Sequence, residues 1–265
     1  MTYLETVTDA AKEVLNVLGE GYQEGVYEEA LAHEMRLRQI AYERQRCFEM
    51  LYKGYRIGEG QIDFIINPLW AGQGGKELVL ELKAVKTVAE GHKRQAQVYM
   101  LSLDIDEGAV MNFASEVQVV EVAKPSRDRD REVAKPECAS QCATPALLEA
   151  CAKEVYRYLG QEFIYREDAK GIFPVALGVE LRLHGCEFAE MNRAVLYKGH
   201  RITDRGFKFS FSDGSVAETA FYKKPEQVEE ACDDLKFYKK EFGLNAAYLI
   251  AFPEKEEDEV KVVSV

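Results

Sequence analysis

No stretch of the chain approaches the roughly 20 uninterrupted apolar residues that a membrane span needs. The opening Met1-Thr2-Tyr3-Leu4-Glu5 also lacks a basic segment followed by an apolar one. A helical membrane protein is therefore excluded, and a cytoplasmic location is expected. Cysteine is sparse: six residues, at positions 47, 138, 142, 151, 186 and 232, show no tight disulfide framework, so reduced thiols are expected. Positive charge is in deficit too. With 34 Lys and Arg against 46 Asp and Glu, the net charge is −12. That balance argues against a protein that coats nucleic acid by displacing counterions from phosphate. It does not exclude an enzyme that holds a cation on carboxylates, because such ligands count as negative. What the chain does have is apolar residues, 47% of 265, enough for one large core or two ordinary ones. Neither disorder nor a fibrous architecture fits.

Internal repetition is the most informative feature. Ala11-Lys-Glu-Val-Leu-Asn-Val-Leu-Gly19 recurs as Ala152-Lys-Glu-Val-Tyr-Arg-Tyr-Leu-Gly160, and Tyr52-Lys-Gly-Tyr-Arg-Ile57 recurs as Tyr197-Lys-Gly-His-Arg-Ile202. Residues 123–144 are charged, Pro-punctuated and without apolar periodicity, as expected of an exposed linker. The chain is thus expected to hold two copies of one domain, 1–122 and 145–265, with the second packing on the first as a pseudo-dimer.

In the first copy, apolar residues at helical spacing predict helices over 5–19 and 26–39. Strands are predicted over 47–52, 55–66 and 77–85, then a helix over 92–103 and strands over 108–113 and 117–122. The order α-α-β-β-β-α-β-β implies a mixed sheet flanked by helices, an α/β or mixed α+β sandwich.

Strand side chains alternate faces, so Glu81 and Lys83 point one way while Leu80, Leu82 and Ala84 point the other. If Gln61-Ile-Asp-Phe-Ile-Ile66 pairs alongside, Asp63 joins them. Two carboxylates so placed repel unless a cation lies between them, and Mg²⁺ or Mn²⁺ is the usual answer. Such a cluster suits phosphodiester hydrolysis: the metal polarises a phosphoryl oxygen and acidifies a water, while an ammonium offsets developing charge. Glu-x-Lys alone arises by chance about once per 250 positions, so the weight rests on context. Here it lies in an apolar strand, after an Asp in another, and before a helix carrying Gln95 and Tyr99 one turn apart. The competing reading is an edge-strand ion pair with Asp63 merely solvated.

Gly21-Tyr-Gln-Glu24-Gly-Val-Tyr27, followed by Glu28-Glu-Ala-Leu31, resembles the signature of the GxxExxY proteins, a branch of the PD-(D/E)xK nuclease superfamily. The resemblance continues through Glu43-Arg44-Gln45, Tyr52-Lys53-Gly54, Gly60-Gln-Ile-Asp63, Glu81-Leu-Lys83-Ala84-Val85, His92, Gln95-x3-Tyr99 and Asn112-Phe113. It implies a restriction-endonuclease-like core, here duplicated in tandem, acting on nucleic acid, with DNA ahead of RNA. It also implies Asp63 and Glu81 as metal ligands, Glu24 as a further ligand or base, and Lys83 as the catalytic lysine, with Gln95 and Tyr99 as helix-borne site residues. Ile62 stands where the superfamily name puts proline, a position that supplies no ligand. His92 reads as a helix-start residue. Some nucleases of this class carry an iron–sulfur staple on one early and three late cysteines, but the polar surroundings of Cys138 and Cys142, and their spacing to Cys151 and Cys47, do not match it.

The second copy is expected to have lost the site. Aligning the Tyr-Lys-Gly turns sets Lys208 opposite Asp63. Aligning the last helix sets Ala220 opposite Glu81, Tyr222 opposite Lys83 and Asp234 opposite Gln95, while Tyr238 keeps the place of Tyr99. Glu167, Lys170 and Phe173 replace Gly21, Glu24 and Tyr27. A lysine in a ligand's place repels a cation, and Arg201 and Lys208 are candidates for a phosphate clamp. Two rival readings stay open: a non-catalytic module that binds nucleic acid or protein, and a metal hydrolase of a small phosphate ester.

Overall fold

A computed structural model describes residues 2–67, 76–126, 143–165, 169–255 and 257–265. Val7, Ala10, Ala11 and Val14 form the buried stripe of helix α1 (Tyr3–Leu18), the spacing of one helical face. Thr2 starts it with a capping box: its hydroxyl accepts from the Glu5 amide at 3.2 Å, and the Glu5 carboxylate accepts from the Thr2 amide at 2.7 Å. Helix α2 (Glu24–Leu37) buries Tyr27, Leu31, Ala32 and Met35.

Strands β1 (Tyr42–Tyr52), β2 (Tyr55–Ile66), β3 (Leu78–Lys83), β4 (Glu107–Phe113) and β5 (Val117–Ala123) form one sheet in that order, with α3 (Glu90–Leu103) between β3 and β4. Only β3 and β4 are parallel, and a parallel pair needs a crossover of the kind α3 provides. Strand β1 begins at Tyr42, five residues before the predicted start at 47, because the polar run Glu43–Arg46 hides a segment that pairs with Phe64 to Ile66. The stripes of α1 and α2 pack on Phe64, Ile66, Leu78, Leu80, Leu82 and Met111. That packing commits the even-numbered residues of β3 to the helices and turns Glu81 and Lys83 to the other face.

The chain divides into two units, Met1–Ser126 and Arg127–Val265. The second unit repeats the plan. Helices α4 (Pro145–Leu159) and α5 (Ala169–Leu183) precede β6 (Ala189–Tyr197), β7 (His200–Ser210) and β8 (Val216–Tyr222), then α6 (Pro225–Phe242), β9 (Ala247–Pro253) and β10 (Lys261–Ser264). Its sheet has the equivalent strand order, and again only the pair flanking the last helix, β8 and β9, is parallel. Tyr27 stacks on Phe113 at 4.6 Å, and Phe173 meets Phe252 at 4.8 Å in the corresponding place. Among the described residues no helix is long and apolar enough to cross a membrane. Residues 127–142, most of the expected linker with Cys138 and Cys142, lie outside the described residues. Cys47 is exposed on β1, and Cys151 is buried in α4.

Sheet register corrects one part of the alignment between the units. Both last helices end on a left-handed residue, Asp104 and Gly243, after which Ile105 and Leu244 each donate to a carbonyl five residues back. Counting onward from those caps makes Val110 equivalent to Leu249. Val110 pairs with Glu81, and Leu249 pairs with Glu218. Glu218, not Ala220, therefore stands at the position of Glu81, and Ala220, not Tyr222, stands at that of Lys83. The expectation slipped by two because the stretch from this strand position to the helix cap is two residues longer in the second unit, from Glu218 to Gly243 against Glu81 to Asp104, so an alignment carried back through the helix stops two residues short.

Candidate functional site

Antiparallel pairing of β2 with β3 runs through Phe64 opposite Leu80, and one step further on Asp63 comes opposite Glu81. The Asp63 carboxylate accepts the Leu82 amide at 2.8 Å, which pins it to the strand that carries Glu81 and Lys83. Lys83 Nζ lies 2.5 Å from Glu81 Oε1 and 3.6 Å from Glu24 Oε2, so the first residue of α2 leans over the end of β3. Four of the residues singled out in the sequence, Glu24, Asp63, Glu81 and Lys83, thus share one site.

Their environment is unusual for charged groups. Glu81 is 1% exposed, and its Oε2 is buried with no hydrogen-bond partner. Burial, and then the charge of Asp63, push its pKa up to about 8, against the pull of Lys83. Burial also raises Asp63, with Glu24 and Glu28 adding to the rise, while the Leu82 amide and Lys83 oppose it. For Lys83, burial disfavours the ammonium, but the surrounding carboxylates, Glu81 foremost, outweigh it and hold the group above its ordinary value.

An unpartnered carboxylate oxygen in a dry cluster of hard oxygen donors is what a divalent cation satisfies. The residues present therefore fit a divalent cation, which Asp63 and Glu81 could hold with Glu24 nearby. Among the described residues no three His, Cys, Asp or Glu side chains already enclose a cation position. Here the Lys83 ammonium stands between Glu24 and Glu81.

Around this core lies a second set of residues to which sequence reasoning gave no role in the site. Gln45, a β1 residue with φ of 52°, donates its amide to Glu28 Oε1 at 2.7 Å and to Asp63 Oδ1 at 3.4 Å. Glu28, 9% exposed, also accepts from Arg44 Nε at 2.7 Å. A chain Arg44–Glu28–Gln45–Asp63 thus fixes the proposed ligand from behind. The available signal was spacing: Glu28 lies one helical turn after Glu24, on the same face. Asn112, fully buried, exchanges hydrogen bonds of 2.9 and 2.8 Å with the backbone of Val85 and so ties down the chain just beyond Lys83.

Gln95 donates to the Tyr99 hydroxyl at 2.7 Å, and the Tyr99 ring meets Phe48 edge-on at 5.3 Å. His92 accepts the Ala89 amide at 3.1 Å and so starts α3, as expected. Burial and the Lys83 charge hold its pKa below the ordinary value.

In the second unit the equivalent carboxylate is partnered from within. Arg205 reaches Glu218 at 2.5 and 2.7 Å, and its guanidinium lies over the rings of Tyr238 and Phe207 at 4.7 and 5.0 Å. Arg205 and its ladder partner Arg193 correspond to Gly60 and Phe48. At Gly60 a Cβ would lie 2.5 Å from the Phe48 ring, so the first unit has no room there for such a side chain. Of the two candidate clamp residues, Lys208 is exposed, and Arg201 is engaged by Asp204.

Residues 1–124 match the family described as the PD-(D/E)XK nuclease superfamily. No curated protein matches the chain. Among solved structures, the crystal structure of SSO0001 is similar at 19% identity with a TM-score of 0.32, covering 40% of this chain and 52% of that one. The chain thus spans about half of that protein's length, and a likeness at this level carries no argument about function.

Proposed function

We propose, from the match of residues 1–124 to the PD-(D/E)XK nuclease superfamily, that the first unit is a divalent-metal-dependent nuclease. It would hydrolyse phosphodiester bonds of nucleic acid, DNA ahead of RNA. The observation that carries the reading is the buried, unpartnered oxygen of Glu81 beside Asp63 and Lys83. Asp63 and Glu81 would hold Mg²⁺ or Mn²⁺, with Glu24 as a further ligand or a base. When bound, the cation supplies Lewis-acid polarisation and a lowered pKa for water. The chain's own groups do the rest. Lys83 presents an ammonium that offsets negative charge building on the phosphate, Gln45 and Glu28 keep Asp63 aimed, and Asn112 stops the end of β3 from fraying. Gln95 and Tyr99 present a bonded amide–hydroxyl pair from α3.

The second unit, in this reading, is catalytically inactive. Ala220 replaces the lysine, Lys208 stands in the place of Asp63, and Arg205 supplies Glu218 with a fixed positive charge in place of a dissociable ion.

Mn²⁺-dependent cleavage of single- and double-stranded DNA and RNA, run beside Lys83→Ala and Asp63→Asn, tests the proposal. Each substitution is expected to lower the rate by about 10²–10³-fold, the cost of removing one preorganised electrostatic group. Activity that survives both would place the chemistry elsewhere. Hydrolysis confined to small phosphate esters would favour that rival, and binding without any cleavage would favour the non-catalytic one.

A further inference from the structure

The hairpin of β6 and β7 differs from its counterpart in the first unit in two independent ways. The first is cover. Tyr52 and Ile57 of the β1–β2 hairpin are 0% and 5% exposed, whereas the corresponding Tyr197 and Ile202 are 63% and 59% exposed; Leu51 and its counterpart Leu196 are exposed in both. From Asn192 to Asp204 every residue but Val195 is exposed, so both faces of the ribbon lie open. A two-stranded ribbon with bare apolar side chains is marginal in water by itself, and such patches mark surfaces that meet something.

The second difference is charge. Residues 189–208 carry five Lys and Arg against two acidic side chains, in a chain whose net charge is −12; the corresponding residues 44–63 carry four against three. Two of the five are neutralised locally, Arg201 by Asp204 and Arg205 by Glu218. Arg193, Lys198 and Lys208 are exposed and form no ion pair among the described residues. Lys198 lies 5.4 Å from the centroid of the Tyr197 ring, and Tyr197 pairs across the turn with exposed His200. The tip therefore sets two rings beside one ammonium that has no ion pair among the described residues, with Arg193 and Lys208 further along the ribbon.

We propose that this ribbon is a nucleic-acid-binding arm, taking phosphates on Arg193, Lys198 and Lys208 and bases against Tyr197 and His200. Its occupant is a polyanion because the ribbon is a cationic exception on an acidic chain. It is a polynucleotide because rings at the tip offer stacking surfaces for bases, and a two-stranded ribbon fits a duplex major groove. The inference rests on the nuclease reading of the first unit, and it makes the inactive second unit the part that retains substrate.

The test is fluorescence anisotropy of the full chain with labelled 30-nucleotide single-stranded and duplex DNA, in EDTA so that nothing is cut, across a salt series. The triple variant Arg193→Ala/Lys198→Ala/Lys208→Ala is expected to lower the slope of log K against log salt by about 2–3. It should also weaken binding at 0.1 M salt by about tenfold to several hundredfold. Tyr197→Ala should weaken binding while leaving that slope unchanged. Unchanged thermal melting and unchanged Mn²⁺ binding show that each variant is folded. Affinity and slope equal to wild type in both variants overturn the arm, as does a wild-type dimer that Tyr197→Ala/Ile202→Ser dissociates, since the ribbon then faces a second copy. If the arm fails while Lys83→Ala still abolishes Mn²⁺-dependent cleavage, the nuclease reading stands alone. Wild type that neither binds nor cleaves removes both.

Discussion

Glu81 makes the metal requirement of the site measurable without any substrate. Its carboxyl, 1% exposed and pushed up to about 8, is about nine-tenths protonated at pH 7. A cation binds only the ionised form, so loading the site at pH 7 should expel about 0.9 proton, falling to about 0.1 at pH 9. Apparent affinity for Mn²⁺ should rise about tenfold over the same interval, because that is the gain in ionised Glu81. The raised Asp63 acts in the same direction, and Lys83 stays charged throughout. Isothermal titration with Mn²⁺ at pH 7 in two buffers of different ionisation heat reads the proton count directly. The sign carries over to the metal-free protein. A carboxyl raised on folding contributes stability that is complete below its ordinary value of 4.5 and is lost as pH climbs through about 8. Metal-free protein should therefore melt lower at pH 9 than at pH 5 on this account, and Glu81→Gln should flatten that part of the profile. Enthalpies that match in both buffers for the wild type, or a proton release undiminished in Glu81→Gln, would refute the assignment of Glu81 as a buried, displaceable acid.

Gln45→Ala removes the bridge between Glu28 and Asp63 and is expected to weaken Mn²⁺ binding by about 10–100-fold, the usual cost of losing a residue behind a ligand; calorimetry checks it, and unaltered affinity would make the bridge incidental. Arg205→Ala leaves Glu218 without its cation and should destabilise the chain by about 1–3 kcal/mol near pH 8. The loss should shrink as pH falls and Glu218, already raised by burial, takes up a proton; a denaturant series at two pH values reads it. Phe64→Ala empties the centre of the helix-facing core and should cost about 3–5 kcal/mol, visible as a lower Tm.

Elements were legible in the sequence wherever one face of a segment was apolar throughout. The periodicity of α1, the alternation in β2 and the run Leu78–Lys83 each follow from a single buried surface, so pattern alone placed them. Strand β1 was half hidden because its first residues are polar on both faces, and only their pairing with Phe64 to Ile66 makes them a strand. The cluster itself was visible as polar residues in an apolar strand, since a buried charge with no apolar excuse signals chemistry. Gln45 and Glu28 were not visible in that way. Their part depends on a left-handed turn of one residue on β1 and on where α2 crosses the strand, facts of tertiary geometry that no local pattern encodes.

The second unit shows how far such geometry can redirect a retained residue. Glu218 keeps the place of Glu81 in the ladder, so loss of the carboxylate is not what separates the two sites. Part of the separation lies at Gly60 and Arg205, beside the replacement of Asp63 by Lys208 and of Lys83 by Ala220. At Gly60 the Phe48 ring leaves no room for a side chain, and the first carboxylate keeps one oxygen unpartnered, whereas an arginine lying on Tyr238 gives the second carboxylate a permanent charge. A guanidinium cannot be titrated away at any ordinary pH, and it has no open coordination position at which a water could be activated. Arg205 on β7 therefore accounts for how a buried Glu218 is kept ionised, and with Lys208 and Ala220 in the places of Asp63 and Lys83 it accounts for why, in this reading, Glu218 no longer serves catalysis. Restoring metal affinity there would require removing Arg205 and supplying a carboxylate at Lys208 together. Either change alone leaves a positive charge at the site, or a single carboxylate too few to hold the ion.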